Sequence, residues 1–205
     1  FQKTQIEKFG VKCHLQCEVT PDMVKTESPD VVVLATGSQP YSPPVEGGDR
    51  PSVVTFEDVL GNHPPTPKKT VVIGGGATGC EVALHLSEQG SDVTIVEMQA
   101  KMAPTLESMT RKLLLRKLGE RSVTMLTEYK LSKIEDHQVV VLNPEGEEES
   151  IPAERVVMAI GNRSDNRLYQ EIQSLGFEIH QIGDCLEPRS AKAAIYESAV
   201  LGRAI

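Results

Sequence analysis

The 205-residue sequence predicts an α/β fold that is built on a parallel sheet. Runs rich in β-branched residues at 30–37, 70–73 and 155–161 have the length and apolar character of buried parallel strands. Apolar residues at helical spacing follow the second run. Alternating segments at 129–134 and 138–142 indicate an antiparallel excursion. Together these patterns predict a Rossmann-like parallel sheet with an antiparallel β excursion.

The composition is that of a globular protein, with 39% hydrophobic and 24% charged residues and a net charge of −8. This negative charge argues against nucleic acid or an anionic membrane as a partner. The longest apolar run, at 31–35, is much shorter than a membrane span. Four cysteines without regular spacing predict no disulfide framework, so a cytoplasmic location is expected. Because the chain opens on Phe1, we expect a fragment or a processed product.

The first part of the chain predicts a short helix up to Phe9 and an alternating strand at 11–19. Cys13 and Cys17 lie on one side of that strand, where we expect two small buried side chains rather than a redox pair. A buried strand at 30–37 then ends in a glycine turn.

Prolines mark the connections that follow. Those after Gly37 take the chain out of the sheet, because proline cannot extend a central strand. Residues 55–60 predict a helix, and the prolines within 62–67 predict a linker. A new unit therefore begins at Lys68.

The segment at 71–81 runs from a β-branched strand through G-x-G-x-x-G into a helix. In this context Gly74 allows the tight turn, Gly76 leaves the backbone accessible to a diphosphate, and Gly79 lets the helix lie close to the strand. The helix N-terminus adds unpaired N–H groups and a partial positive charge. The pattern predicts a dinucleotide site with the candidate residues Gly74, Gly75, Gly76, Ala77, Thr78 and Gly79.

A carboxylate accompanies this motif. Glu97 ends the next predicted strand, at 92–96, where the fingerprint expects an acidic residue that binds the adenosine ribose. The alternative is a solvated carboxylate at a strand end. Because a carboxylate repels a 2′-phosphate and no Arg follows closely, we expect NAD(H) rather than NADP(H).

The remaining elements follow from periodicity and turn residues. Residues 110–118 predict a helix that is broken by Gly119, and the acidic segment 143–150 predicts a solvated hairpin tip. Residues 190–205 predict a helix whose inner side includes Ala194, Ile195, Ala199 and Ile205.

One pattern occurs twice. Ala35-Thr36-Gly37 and Ala159-Ile160-Gly161 each close a buried strand, and a later strand runs into Gly183-Asp184. This repetition suggests two related nucleotide-binding units in one chain. The first unit lacks an opening strand with its own glycine turn.

These motifs, in this order, resemble the C-terminal FAD/NAD(P)-binding part of the NADH:flavin oxidoreductases, the old-yellow-enzyme-like family of 2,4-dienoyl-CoA reductase and enoate reductase. The likeness is most specific near the end of the chain, where Gly-Asp-Cys is followed by Glu187-Pro188-Arg189 and Ala194-Ile195. The resemblance spans nearly the whole chain. It implies an NAD(H)-binding domain at 68–161, inserted in an incomplete FAD-binding domain formed by 1–67 and 162–205.

The resemblance also implies roles for individual residues. The fingerprint glycines would hold the NAD diphosphate, Glu97 the adenosine ribose, and Asp184 the ribityl chain of FAD. Glu81 would lie near the nicotinamide and is the only catalytic candidate. Each of two residues also has a purely structural alternative. Glu81 could be a carboxylate in the first turn of a helix, where the helix dipole favours it, and Asp184 could be a helix N-cap. Further cofactor-binding candidates lie in the strand-end turns, namely Ala35, Thr36, Gly37, Gly161, Gly183 and Asp184.

The implied function is the electron-input step of an NADH-dependent flavoprotein, in which NADH reduces FAD. FMN and a 4Fe-4S cluster are expected only in an N-terminal barrel outside this chain, so NADH and the remainder of the parent enzyme are the expected partners. The scattered histidines predict no metal site. Three alternatives stay open: a one-cofactor flavoprotein with FAD on the single fingerprint, a non-catalytic NAD(H)-binding or redox-sensing domain, and a scaffold with a vestigial fingerprint.

Overall fold

A computed structural model describes residues 1–62 and 65–205. These residues form two compact units. The discontinuous unit comprises Phe1–Gly37 and Asp165–Ile205, and the continuous unit comprises Ser38–Ser164. Both units contain parallel strands between helices, and the continuous unit adds antiparallel strands, so the predicted α/β class is confirmed.

The helices of the described chain are α1 (Gln2–Lys8), α2 (Pro21–Glu27), α3 (Phe56–Asn62), α4 (Ala77–Glu88), α5 (Ser108–Glu120), α6 (Arg167–Ile172) and α7 (Ala191–Leu201). The strands are β1 (Val31–Leu34), β2 (Ser38–Pro40), β3 (Val53–Thr55), β4 (Lys69–Ile73), β5 (Asp92–Glu97), β6 (Thr124–Thr127), β7 (Lys130–Glu135), β8 (Gln138–Leu142), β9 (Glu148–Pro152), β10 (Arg155–Met158), β11 (Asn162–Ser164) and β12 (Glu178–Gln181). Within residues 1–62 and 65–205, no helix has both the length and the apolar character that crossing a membrane requires.

A parallel sheet of order β3-β10-β4-β5-β6 forms the centre of the continuous unit. Val71 and Val72 of the middle strand are fully buried, as β-branched residues are in strands that are covered on both faces. From β4 the chain continues to β5 and β6 on one side and returns as β10 on the other. The strand order therefore reverses beside β4, and ligands of α/β folds bind at the carboxyl ends of the strands at such a point.

The two faces of this sheet pack against different layers. Val72 and Ile95 share a core with Leu86 of α4 and with side chains of α5. Val71 packs with Val139 in a second core, beneath the antiparallel sheet β7-β8-β9. Burial of each such side chain contributes about 1.5–3 kcal/mol to folding. The helices thus cover one face and the antiparallel strands the other.

The discontinuous unit has a smaller core. Its strands β1 and β12 pair in parallel, so their carboxyl ends lie side by side. Leu34, Ile172 and Cys185 are its buried core residues. The Ser190 side chain accepts a hydrogen bond from the Ala193 N–H and so caps α7.

The prediction of a strand at 11–19 is wrong. Residues 11–20 form no strand in the structure and are exposed along their whole length, so Cys13 and Cys17 are exposed rather than buried. The segment ends where the Thr20 side chain caps α2 and Pro21 begins that helix. The alternation of apolar residues is present, but in the described residues no neighbouring strand pairs with it.

Two boundaries and one helix face differ from the predictions. The helix predicted to break at Gly119 continues through it to Glu120, since a helix tolerates a single glycine near its end. The hairpin tip is shorter than predicted, because residues 148–152 pair with β8 as an additional strand. The expected inner side of the last helix is also wrong, since Ile195 is 66% exposed and α7 has no buried residue.

The units divide the chain at other positions than the predicted domains 1–67, 68–161 and 162–205. Residues 38–62 belong to the continuous unit, because β3 pairs with β10 at the edge of the five-stranded sheet. The predicted proline linker at 62–67 lies partly outside the described residues and does not separate the two units. The assignment of each domain to a cofactor stays a prediction.

The four cysteines provide a test of this fold. Burial raises the pKa of Cys80 to about 11, and the charges of Glu97 and Glu81 add to the shift. Cys185 is buried as well, and its thiol donates to the Leu34 carbonyl. We expect a thiol reagent at about pH 8 to modify Cys13 and Cys17 rapidly and to spare the other two, since the thiolate is the reactive form. Peptide mass spectrometry would identify the labelled sites.

Denaturant supplies the control, because all four thiols should react once the chain unfolds. Rapid labelling of Cys80 in the native protein would contradict its placement beneath the glycine turn.

Candidate functional site

The glycine turn lies between Ile73, the last residue of β4, and Ala77, the first residue of α4. Gly74 has a φ of +105°, in the region that favours glycine, and its N–H donates to the Val96 carbonyl at 2.8 Å. A Cβ on Gly79 would overlap the Gly74 carbonyl oxygen. The tight turn and the close packing of helix on strand are therefore both present.

Gly75 packs against the carboxylate residue of the next strand. A Cβ at this position would overlap the Met102 sulfur and lie 2.9 Å from the Glu97 Cβ. The Gly75 N–H donates to Oε2 of Glu97 at 2.6 Å. The turn and the end of β5 are thus joined directly.

Gly76 differs from its neighbours because the space beside it is open. Apart from Gly76 itself and its two chain neighbours, no heavy atom lies within 4 Å of the position that its Cβ would take, although its φ of −64° is accessible to any residue. As the N-cap of α4 it supplies no side-chain acceptor, so the N–H groups of Ala77, Thr78 and Gly79 open a helix without a side-chain cap. Open space before such a helix start fits a diphosphate.

Glu97 lies at the carboxyl end of β5 and is only 8% exposed. In addition to the bond from Gly75, its Oε1 accepts the Gln99 N–H at 2.7 Å. A solvated strand-end carboxylate, the alternative, does not describe a buried side chain held by two backbone donors. Each carboxylate oxygen keeps a further lone pair that can accept a hydrogen bond from a hydroxyl group.

Glu81 lies on α4 and is exposed. The first turn of this helix contains no acidic residue, so the alternative of a first-turn carboxylate is wrong. The preceding residue, Cys80, donates its thiol proton to the Gly75 carbonyl at 3.4 Å. Its small buried side chain supports the turn from below.

Gly161 follows β10, the neighbour of β4. Its φ of +104° matches the left-handed conformation of Gly37 after β1, where φ is +77°. The Ala159 N–H donates to the Ile73 carbonyl at 2.8 Å, so this strand end lies directly beside the glycine turn. In the continuous unit the structure thus brings together the fingerprint, Glu97 and Gly161.

The other candidates meet in the discontinuous unit, where β1 and β12 end next to each other. The Thr36 hydroxyl donates to the Asp165 carbonyl at 2.5 Å. An open cavity of about 360 Å³ lies at these strand ends. Its lining consists mostly of small residues, namely Ala35, Gly37, Ile182, Gly183, Asp184, Ala191, Ala194 and Ser198.

Two residues that were not predicted from the sequence hold the Gly183-Asp184 turn. Glu197 accepts the Gly183 N–H at 2.8 Å and forms an ion pair with Arg189. The hydrogen bond from Arg189 has the larger effect and that from Gly183 the smaller, and both lower the pKa of Glu197. The Arg189 N–H donates to Asp184 at 3.2 Å. Ser190 rather than Asp184 caps α7, so the N-cap alternative for Asp184 is wrong.

Within the described ranges, no group of three or more His, Cys, Asp and Glu side chains could hold a metal ion.

The sequence matches the family described as "Pyridine nucleotide-disulphide oxidoreductase" over residues 2–186. An NADH oxidase of Thermoanaerobacter brockii is 32% identical over 89% of this chain and 29% of its own length. A cinnamate reductase of Clostridium sporogenes (strain ATCC 7955 / DSM 767 / NBRC 16411 / NCIMB 8053 / NCTC 8594 / PA 3679) is 34% identical over 94% of this chain and 29% of its own length.

A solved structure of a 2-naphthoyl-CoA reductase complex superposes with a TM-score of 0.86 at 31% identity, over 95% of this chain and 30% of the other. The chain spans about three tenths of the length of these relatives. The match to the family implies FAD and NAD(P)H binding. The chain belongs to the pyridine nucleotide-disulphide oxidoreductases, as an FAD/NAD(P)-binding part of the type found in NADH:flavin oxidoreductases of the old-yellow-enzyme-like family.

Proposed function

We propose that this chain is the electron-input part of a longer NADH-dependent flavoprotein oxidoreductase of the enoate-reductase type. In this role the continuous unit binds NADH and the discontinuous unit contributes to FAD binding. The observation that carries the proposal is the open space at Gly76, in front of a helix without a side-chain cap and beside the buried carboxylate of Glu97.

The family match and the names of the relatives support this role. Three relatives that span the chain nearly completely are an NADH oxidase, a cinnamate reductase and a 2-naphthoyl-CoA reductase. Because the chain covers about three tenths of each, the terminal substrate is chosen elsewhere in such a protein. An N-terminal barrel with FMN and a 4Fe-4S cluster belongs to the same proposal.

The residues of the continuous unit have distinct tasks in this proposal. The N–H groups that open α4 bind the diphosphate, and Gly76 keeps the approach free. Glu97 accepts the ribose hydroxyls of the adenosine, and its charge repels a 2′-phosphate. NADH is therefore the preferred nucleotide. Exposed Glu81, one turn further along the same helix, lies near the nicotinamide.

In the discontinuous unit, the small residues at the ends of β1 and β12 leave room for a flat ring system or a sugar chain. In this proposal Asp184 accepts hydroxyl groups of the FAD ribityl chain. Ala35 and Gly37 line the same cavity, and Thr36 lies between them in the chain. When bound, NADH would supply the hydride and FAD would be its acceptor, and the residues named above would hold and orient the two cofactors.

The direct test is flavin reduction in protein expressed from the full reading frame and loaded with FAD. On anaerobic addition of NADH we expect the visible absorbance of the oxidised flavin to fall. Stopped-flow measurement should show that this reduction is at least as fast as one catalytic turnover of the whole enzyme. NADH binding with the flavin left oxidised would contradict the electron-input role and favour a redox-sensing domain.

Gly76→Ala tests the nucleotide site without disturbing the fold. The added methyl group has space in the protein but would meet the diphosphate, so we expect at least a tenfold loss of NADH affinity by calorimetry. Because alanine is a poorer N-cap than glycine, the unfolding midpoint should fall slightly while the circular dichroism spectrum of the folded protein stays unchanged. Gly119→Ala, at another glycine with open space, is the matched control and should leave NADH affinity unchanged. Equal NADH affinity in the two variants would remove Gly76 from the site.

Glu97→Gln tests the choice of nucleotide. Removing the charge should weaken NADH binding and strengthen NADPH binding relative to it, so the affinity ratio of NADH to NADPH should fall by about tenfold. Titrations of both nucleotides measure the ratio. Glu88→Gln, an exposed change on α4, is the control for net charge. Parallel losses for both nucleotides would contradict the ribose role of Glu97.

A further inference from the structure

A stacked pair of side chains lies where the chain leaves β10. The Arg163 guanidinium lies over the Tyr41 ring at 3.9 Å from its centroid. The Tyr41 N–H donates to the Gly161 carbonyl at 2.9 Å, and β2 and β11 pair in antiparallel fashion beside it. The pair is therefore fixed to the strand end by backbone contacts within the continuous unit.

This position is close to the glycine turn. The Cα of Ile160 lies only 3.1 Å from the point that a Cβ on Gly74 would occupy. Arg163 follows three residues later, so its Cα lies within about 11 Å of Ile160 even in a fully extended chain. The backbone of Arg163 is thus near the glycine turn, although Arg163 is not part of the fingerprint.

The order of the strands gives the direction in which a dinucleotide extends. Glu97 at the end of β5 marks the adenosine side, and the turn after β4 marks the diphosphate. The next strand in this direction is β10, on the far side of β4 from β5. The nicotinamide half of the ligand therefore extends toward the end of β10, which Tyr41 and Arg163 flank.

We propose that the Tyr41–Arg163 pair contacts the nicotinamide mononucleotide half of NADH, with the guanidinium donating to its phosphate or ribose oxygens. The inference rests on the proposed function and assigns two residues that the fingerprint does not contain. Among the described residues the Arg163 guanidinium makes no ion pair, so its donors are available. Stacking on the ring holds the planar fork in one orientation, which lowers the entropic cost of binding an anion.

The test compares two ligands in one protein. Arg163→Gln should lower NADH affinity about tenfold by calorimetry, the loss expected for one hydrogen bond to a charged group, and should leave the affinity for AMP unchanged. AMP serves as the probe because it contains only the adenosine half. Arg116→Gln, an exposed arginine on α5, is the control for the same change in net charge.

Two substitutions of the ring test the stacking itself. Tyr41→Phe keeps the ring and should bind NADH like the unchanged protein, whereas Tyr41→Leu should lose several-fold in NADH affinity because the guanidinium loses its support. An unchanged NADH affinity in Arg163→Gln, or an equal loss for NADH and AMP, would overturn this inference while NADH binding itself persists. If the unchanged protein does not bind NADH, whether or not it binds AMP, the proposed function is wrong. This inference is then wrong as well, because it depends on NADH binding.

Discussion

The close approach of α4 to the end of β4 is the constraint on which the candidate nucleotide site depends. Gly79 leaves no side chain between the helix and the Gly74 carbonyl, and a Cβ there would force the two elements apart. This contact fixes the helix start beside Gly76, at the point where the strand order reverses. Because the groups that bind a diphosphate are backbone N–H groups, the packing of these elements sets their position.

The central fold could be predicted because its signals are local. The strand through Val71 and Val72 is an apolar run that ends at a glycine turn, and helical spacing begins directly after it. The error at 11–19 has the opposite origin, since alternation describes the sequence of a strand but does not supply the neighbour with which it must pair. The strand at 148–152 was missed because its acidic residues face solvent and resemble a loop in composition.

The same distinction separates the predicted site residues from those that were missed. The glycine geometry and the position of Glu97 follow from spacing within one β-turn-α-β segment, which the sequence displays directly. Glu197 lies on α7, which follows the turn at Gly183 in sequence, and accepts the N–H of that turn. Arg163 and Tyr41 are separated in sequence by more than half of the chain and contact each other only in the folded protein. No motif encodes such tertiary contacts, so only the folded structure reveals them.

The contacts of Glu97 connect the choice of nucleotide to the stability of the turn. Its carboxylate accepts N–H groups from Gly75 and Gln99, and in the proposed function the same carboxylate also accepts the adenosine ribose hydroxyls. A basic replacement would change the charge at this position and would also leave the buried Gly75 N–H without its acceptor, at a cost of about 1–3 kcal/mol. A basic residue at this position therefore requires a second substitution that satisfies the Gly75 N–H, whereas glutamine removes the charge and keeps an acceptor for the turn.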